Sequence, residues 1–437
     1  MYRLLACIAL LVASPSSSSG QRLPDPAVTF SQSKQRLLAD MERLPRYTCV
    51  QTITRRYYLP PFHWTSPSCK DVIAEHEKRT HELTLRGWDR LRLDVTVAGS
   101  GEIFSWVGAA RFEEETFAAV AGNGPLVSGD FGPFIGAIFR DSAVKFQGEQ
   151  FIEGHRLLEY SYDMPQNISK YEIDMNRKDH YITGYSGTFL LDRDDPDLFR
   201  LLVRTAELRE QSGKCQAISE VEYERVPIHG SRVLVPRETR LLVLGRNGEE
   251  TRNTTTYADC HEYSSKSVLR FDAVDVERSG GSAQRPESPI PAGSHFDWRI
   301  VTPIDSDTAA AGDPVEGVLR SPIRDKKGNI IAPVGTHIHG RLLVLAEHSG
   351  REYFEIGLKF ESIDINGTTL PFYANLHGES IVPFEFRWAP QSRPSLAGAA
   401  WFIFNTKHLK LDHLDSIGVT TLPPPKEEKN NGAKAAR

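Results

Sequence analysis

Asp192-Arg193-Asp194-Asp195-Pro196-Asp197 places four carboxylates within six residues, the oxygen-rich chemistry that hard cations such as Ca2+ take. The run lacks the glycine and the terminal glutamate of a calcium loop, and a solvated turn with an acidic N-cap for a following helix accounts for it better. His337 and His339 stand two apart, so on a strand both rings share one face and can begin a Zn or Cu site. Only His348 is near enough in sequence to add a third ligand, and the expectation is a surface pair. His261-Glu262 beside Cys260 reads as strand decoration, and Glu113-Glu114-Glu115 as a solvated face. Gly184-Tyr185-Ser186-Gly187 is not Gly-x-Ser-x-Gly, and its surroundings are strand-rich rather than α/β. Cys49 with a remote histidine is a weaker nucleophile candidate than a disulfide partner. No Gly-x-x-x-x-Gly-Lys-Ser/Thr loop cradles a phosphate. The sequence therefore assigns no catalytic residue, metal or cofactor. A non-enzymatic protein is expected, with a hydrolase as the remote alternative.

The chemistry that does stand out is apolar. Phe131, Phe134, Ile135, Ile138 and Phe139 form one face of a helix read over Gly129 to Asp141, interrupted by Gly132 and Gly136. Laid over a curved sheet, such a helix can cover a greasy ligand, which gains about 25 cal/mol per Å2 of apolar surface removed from water. These five residues are the candidate ligand contacts. The competing expectation is that they simply fill the core between helix and sheet, leaving a scaffold or interaction protein without a ligand.

The elements that must position them are mostly strands. Leu37, Leu38, Met41 and Leu44 predict a leading helix over Ser31 to Leu44, capped by Ser31 or Ser33 and stopped by Pro45. Period-two alternation then predicts antiparallel strands at Tyr47–Tyr58, Glu102–Val107, Gln150–Tyr162, Tyr171–Met175, Tyr181–Leu191, Cys215–Tyr223, Arg232–Leu244 and Glu249–Tyr263. Arg79–Leu85 and Arg90–Val97 read as a hairpin around Gly87, and Asp197–Leu208 as a further helix. The expected fold class is mainly β (α+β): a curved antiparallel half-barrel with inserted helices over 30–275, plus a smaller β-barrel-like domain over 296–422. A Gly/Ser/Pro-rich linker over 276–295 separates them, and the Lys-, Glu- and Asn-rich tail at 423–437 reads as disordered. Glu352 to Phe360, with Phe354, Ile356, Leu358 and Phe360 on one face, is the clearest strand of the second domain.

The start of the chain gives the compartment. Arg3, the apolar run Leu4–Ala13 and the small residues to Gly20 read as a signal peptide over 1–20, too short to span a bilayer. No later segment is long and apolar enough to span one, so no transmembrane span is expected after its removal. Export to the periplasm or the extracellular space follows. Cys49, Cys69, Cys215 and Cys260 remain, an even number suited to an oxidising compartment. Four cysteines allow three pairings. Cys49–Cys69 with Cys215–Cys260 is preferred because each pair lies within one local run of strands. The 437 residues carry 52 basic and 57 acidic side chains, a balance that gives no basic field for nucleic acid.

The order of elements over Phe30 to Tyr263 resembles the outer-membrane lipoprotein carrier (LolA/LolB-like) half-barrels: a leading amphipathic helix, a long antiparallel sheet, and helices inserted between strands. The resemblance implies a concave face covered by helices and a lipid or lipoprotein acyl chain as partner, in the cell envelope. Leu44-Pro45-Arg46-Tyr47-Thr48-Cys49, Gly87-Trp88-Asp89-Arg90-Leu91-Arg92-Leu93 and Cys260-His261-Glu262-Tyr263 are similar to pieces of exported bacterial proteins without an assigned activity. Gly328-Asn329-Ile330-Ile331-Ala332-Pro333-Val334-Gly335-Thr336-His337-Ile338-His339-Gly340 resembles the strand-turn-strand of TrbI/VirB10-like β-barrel domains. That likeness implies a barrel and an envelope protein partner. The membrane helix and Pro-rich stalk of those channel proteins have no counterpart here.

Overall fold

The structure is a computed structural model and describes residues 25–61, 67–98, 101–109, 124–125, 132–174, 180–263, 290–376, 399–411 and 417–424. The expected signal peptide, Phe131, Glu113 to Glu115, most of the 276–295 segment and nearly all of the 423–437 tail lie outside the described residues.

The chain begins with α1 (Pro26–Glu42). Asp25 caps it by accepting from the Ala27 amide at 2.8 Å, and Pro26 sits in the first turn, where its missing N–H costs nothing. The helix therefore starts five residues before the expected Ser31. α2 (Cys69–Lys78) was not expected, although Ser68 and Asp71 form a reciprocal capping box. α3 (Gly132–Asp141) is the expected Phe/Ile-rich helix.

Twelve strands among the described residues build the first part: β1 (Tyr47–Tyr58), β2 (Leu85–Ala98), β3 (Gly101–Trp106), β4 (Ala143–Ile152), β5 (His155–Met164), β6 (Tyr171–Asp174), β7 (His180–Thr183), β8 (Tyr185–Asp192), β9 (Leu198–Thr205), β10 (Lys214–Ile228), β11 (Ser231–Gly245) and β12 (Glu250–Glu262). Ten of them pair antiparallel in the spatial order β3-β2-β1-β12-β11-β10-β9-β8-β5-β4, while β6 and β7 form a separate ribbon. The fold is a large, curved, mainly antiparallel sheet with helices set against it.

Three expectations about elements are corrected. Asp197–Leu208 is not a helix: Leu198–Thr205 is β9, wedged between β8 and β10. Its leucines fit either period, and the two open strand edges beside it decide in favour of the sheet. Gly87 turns no hairpin, because β2 runs straight through it. Gln150–Tyr162 is interrupted by the turn at Glu153-Gly154, where both residues have positive φ, so the run divides between β4 and β5.

The second part holds β13 (His295–Ile300), β14 (Ile304–Asp305), β15 (Pro314–Leu319), β16 (Ile323–Arg324), β17 (Ile330–Ala332), β18 (His337–His348), β19 (Tyr353–Ile365), β20 (Thr368–Pro371), β21 (Ala374–Leu376), β22 (Ala399–Phe404), β23 (Lys410–Leu411) and β24 (Ile417–Thr421). Its main order is β22-β19-β18-β15-β13-β24-β21, around a core that includes Trp298, Phe354, Phe360 and Phe372. Gly335 at φ 86° makes the turn between β17 and β18.

The two parts join through the far edge of β2. That edge carries β3 from Leu93 onward, the Ala311 backbone at Leu91, and β18 at Trp88 and Asp89. Arg90 Nη1 donates to the carbonyls of Ser306, Asp307 and Ala309 at 2.9–3.2 Å. Arg341, nearly buried, donates to the Val107 and Gly312 carbonyls at 2.8 and 2.7 Å. Ile53, Leu91, Leu93 and Trp106 share a core cluster with Ala311, Leu343 and Ala399.

Cys49, Cys69, Cys215 and Cys260 are bridged, but as Cys49–Cys260 and Cys69–Cys215. The preferred local pairing fails because sheet register, not chain proximity, sets the neighbours. β1 lies against β12, and the register shift between Thr48 and Val50 sets Cys49 opposite the Asp259-Cys260 bulge. The second bridge pins α2 onto β10. Sequence separations of 211 and 146 residues put each at the upper end of the 2–5 kcal/mol scale for such links.

Candidate functional site

Directly opposed residues in an antiparallel sheet share one face. One such row runs Tyr160, Phe189, Leu201, Val221, Thr239, Thr255, Ile53, Leu91, across β5, β8, β9, β10, β11, β12, β1 and β2. Every member is buried. The β5–β10 end of the row is the floor under α1 and α3. There Phe139 lies 4.8 Å from Phe189, Tyr160 stacks on Phe189 at 5.3 Å, and Phe30 of α1 lies 5.4 Å from Tyr160. Such ring pairs each add about 0.5–1.5 kcal/mol beyond the area they bury. Tyr160 also donates to the Pro26 carbonyl at 2.6 Å, fixing the start of α1 to the floor.

Of the five candidate ligand contacts, the structure places Ile135, Ile138 and Phe139 in this cluster, each at most 2% exposed, beside Leu37 of α1. Phe131 lies outside the described residues, as does the side chain of Phe134. Gly136 lets α3 approach α1, since a β-carbon there would meet the Met41 Sδ at 2.7 Å. On the inward stripe of α1, Thr29 and Ser33 are buried with hydroxyls that find no partner among the described residues.

The edge of this helical cover is held by charge. Arg36 of α1 reaches Asp195 at 2.6 Å, and Arg225 of β10 joins Asp40 of α1 (2.6 Å) with Asp197. Asp197 and Asp40 hold the Arg225 guanidinium above its ordinary pKa although its burial opposes this. Asp194 takes Arg156 and Asp192 takes His155. The Asp192–Asp197 carboxylates thus take three arginines and a histidine, which accounts for their density. A pocket of about 150 Å3 lies beside these carboxylates, lined by Asp197, Phe199, Tyr223, Arg225 and Leu234 among others.

The other chemistry-bearing residues are dispersed. His337 faces Glu316 on β15, whereas His339 Nε2 faces Asp364 on β19 at 2.9 Å, so each has its own acid. His261 Nδ1 lies 2.7 Å from the Asp259 carbonyl. Ser186 sits within β8, paired with Asp163 and Arg204. Sequence reading missed half-buried Asp305 at the end of β14 with exposed Asp307 and His408, whose ligand atoms lie within 4.8 Å of one another. The histidine is about a hundred residues away in sequence, so no spacing signal exists.

No protein-family model matches the sequence, and no curated protein matches it significantly. Among solved structures, it is similar to a DUF1329 family protein from Desulfovibrio piger, at 10% identity over 59% of this chain and 96% of that one, TM-score 0.27. It is also similar to a LolA superfamily protein from Nitrosomonas europaea, at 9% identity over 53% and 94%, TM-score 0.22. A third likeness is to an outer membrane lipoprotein-sorting protein domain from Vibrio parahaemolyticus, at 6% identity over 56% and 97%, TM-score 0.24. Likenesses at these scores carry no functional weight, and none of the three bears on the TrbI/VirB10-like resemblance of the second part.

Proposed function

We propose that this chain is a non-enzymatic, exported protein of the cell envelope that holds an apolar or lipid-like ligand between the α1–α3 cover and the aromatic floor. The observation that carries the reading is the arrangement of Phe30 of α1 and Phe139 of α3 over Tyr160 and Phe189 of the sheet. Two disulfides support an oxidising compartment. The site as it stands is closed: Ile135, Ile138 and Phe139 occupy the space a chain would take, so uptake requires α3 to lift. Native mass spectrometry of delipidated protein with oleate and with methyl oleate tests this. A 1:1 adduct supports the reading, and protein that stays bare and ignores fluorescent fatty acids overturns it.

The close packing of Ile135, Ile138 and Phe139 favours a second reading, an envelope scaffold with fully packed parts. Under it the junction at β2 is the functional feature, a rigid frame that presents the second part to a protein partner.

A further inference from the structure

The middle of the inner face is polar. Between the aromatic floor and the Ile53–Leu91–Trp106 cluster lie Gln51, Ser219, Thr239, Asn253 and Thr255, all buried. Register holds them together: Thr239 opposes Thr255, Asn253 opposes Leu241 on β11 and Arg55 on β1, and Ser219 of β10 opposes the same Leu241. Gln51 opposes Tyr257, whose hydroxyl accepts from Gln51 Nε2 at 3.3 Å and lies 3.3 Å from Thr239 Oγ1. A sheet face that only needed to pack would carry valine and leucine here, as it does on either side.

Three atoms of this strip are unpaired. Gln51 Oε1, Asn253 Oδ1 and Ser219 Oγ are shielded from solvent and find no hydrogen-bond partner among the described residues, in side chains only 3–4% exposed. Gln51 Oε1 and Asn253 Oδ1 are pure acceptors and lack donors, and the Ser219 hydroxyl can accept or donate. Among the described residues the charged side chain beside them is Arg55, held bidentate by Asp89 at 2.7 and 2.8 Å, a pair without net charge. Among the described residues a carboxylate or phosphate meets no cation here other than the paired Arg55, whereas a hydroxyl-bearing group meets acceptors.

We infer that this strip is a headgroup site, and that the ligand is an amphiphile with an uncharged, hydroxyl-rich head, of the acylglycerol or glycolipid kind. Its chain lies on the Tyr160–Phe189 floor and its head on Gln51, Ser219 and Asn253. The row from Phe189 to Thr255 crosses four strand spacings, about 19 Å, a span an extended acyl chain can follow. This inference rests on the apolar-ligand reading and adds the head.

The test compares monooleoylglycerol with methyl oleate, the same chain without donors, on the delipidated full-length protein by isothermal titration calorimetry. Monooleoylglycerol binds about tenfold tighter. In Gln51→Leu/Asn253→Leu that preference falls to about twofold or less. Should the double variant misfold, Ser219→Ala removes one acceptor at little volume change and narrows the preference by itself. Equal affinities in the unaltered protein overturn the headgroup site and leave the apolar reading standing. No binding of either ester overturns both.

Discussion

A β-carbon built on Gly87 would sit 2.3 Å from the carbonyl oxygen of Glu347. The glycine is what lets β18 lie against β2, and its neighbour Trp88 packs edge-on to Phe354 at 5.9 Å as part of the same junction. Gly87→Val forces these backbones apart and is expected to cost about 2 kcal/mol or more. Hydrogen exchange then rises at Arg90–Arg92 and Ala346–Glu347. Gly101→Ala, where the added carbon meets nothing within 4 Å, serves as the neutral control. Unchanged protection in Gly87→Val contradicts the junction.

Glu250 gives the fold an acid limit. Burial alone would raise its pKa, but hydrogen bonds from His76, Arg79 and Arg252 hold it down at about 2. A carboxylate depressed on folding stabilises above its unfolded pKa and loses that contribution as pH falls toward the folded value. Glu250→Gln is expected to cost about 3 kcal/mol at pH 7. Urea melts should show this gap shrinking between about pH 4.5 and pH 2. A gap independent of pH contradicts the assignment.

Arg225 and Arg36 should govern the mobility of the cover. Replacing both with glutamine removes the links from Arg36 of α1 to Asp195 and Asp197 and the link from Asp40 of α1 to β10. Stopped-flow binding of a fluorescent fatty acid should become several-fold faster, and in the unaltered protein should accelerate with salt. Rates insensitive to both changes show that lifting the cover does not limit entry.

Non-reduced peptide mapping should recover Cys49 with Cys260 and Cys69 with Cys215. Cys69→Ser/Cys215→Ser frees α2 from β10 and should lower stability by about 2–5 kcal/mol. Recovery of Cys49 with Cys69 contradicts the register of β1 on β12.

Alternation made most strands of the sheet readable from the sequence, because one face of each is buried and side chains repeat every two residues. The greasy helix at 132–141 was readable from its spacing. Asp197–Leu208 was not, since Leu198, Leu201, Leu202 and Leu208 satisfy a helical face as well, and only the neighbouring edges of β8 and β10 choose. The disulfides and the polar strip are properties of register. Gln51, Ser219 and Asn253 are scattered over about two hundred residues, and nothing local distinguishes them from the outward polar residues of any strand.

The chain's seat is best located with a heavy atom. Crystals grown with 16-bromohexadecanoate or its methyl ester should show a bromine anomalous peak on the aromatic floor, beside Phe139, Tyr160 and Phe189, with α3 displaced from its present seat. Bromine elsewhere, or none while α3 still rests on Phe189, would contradict the account.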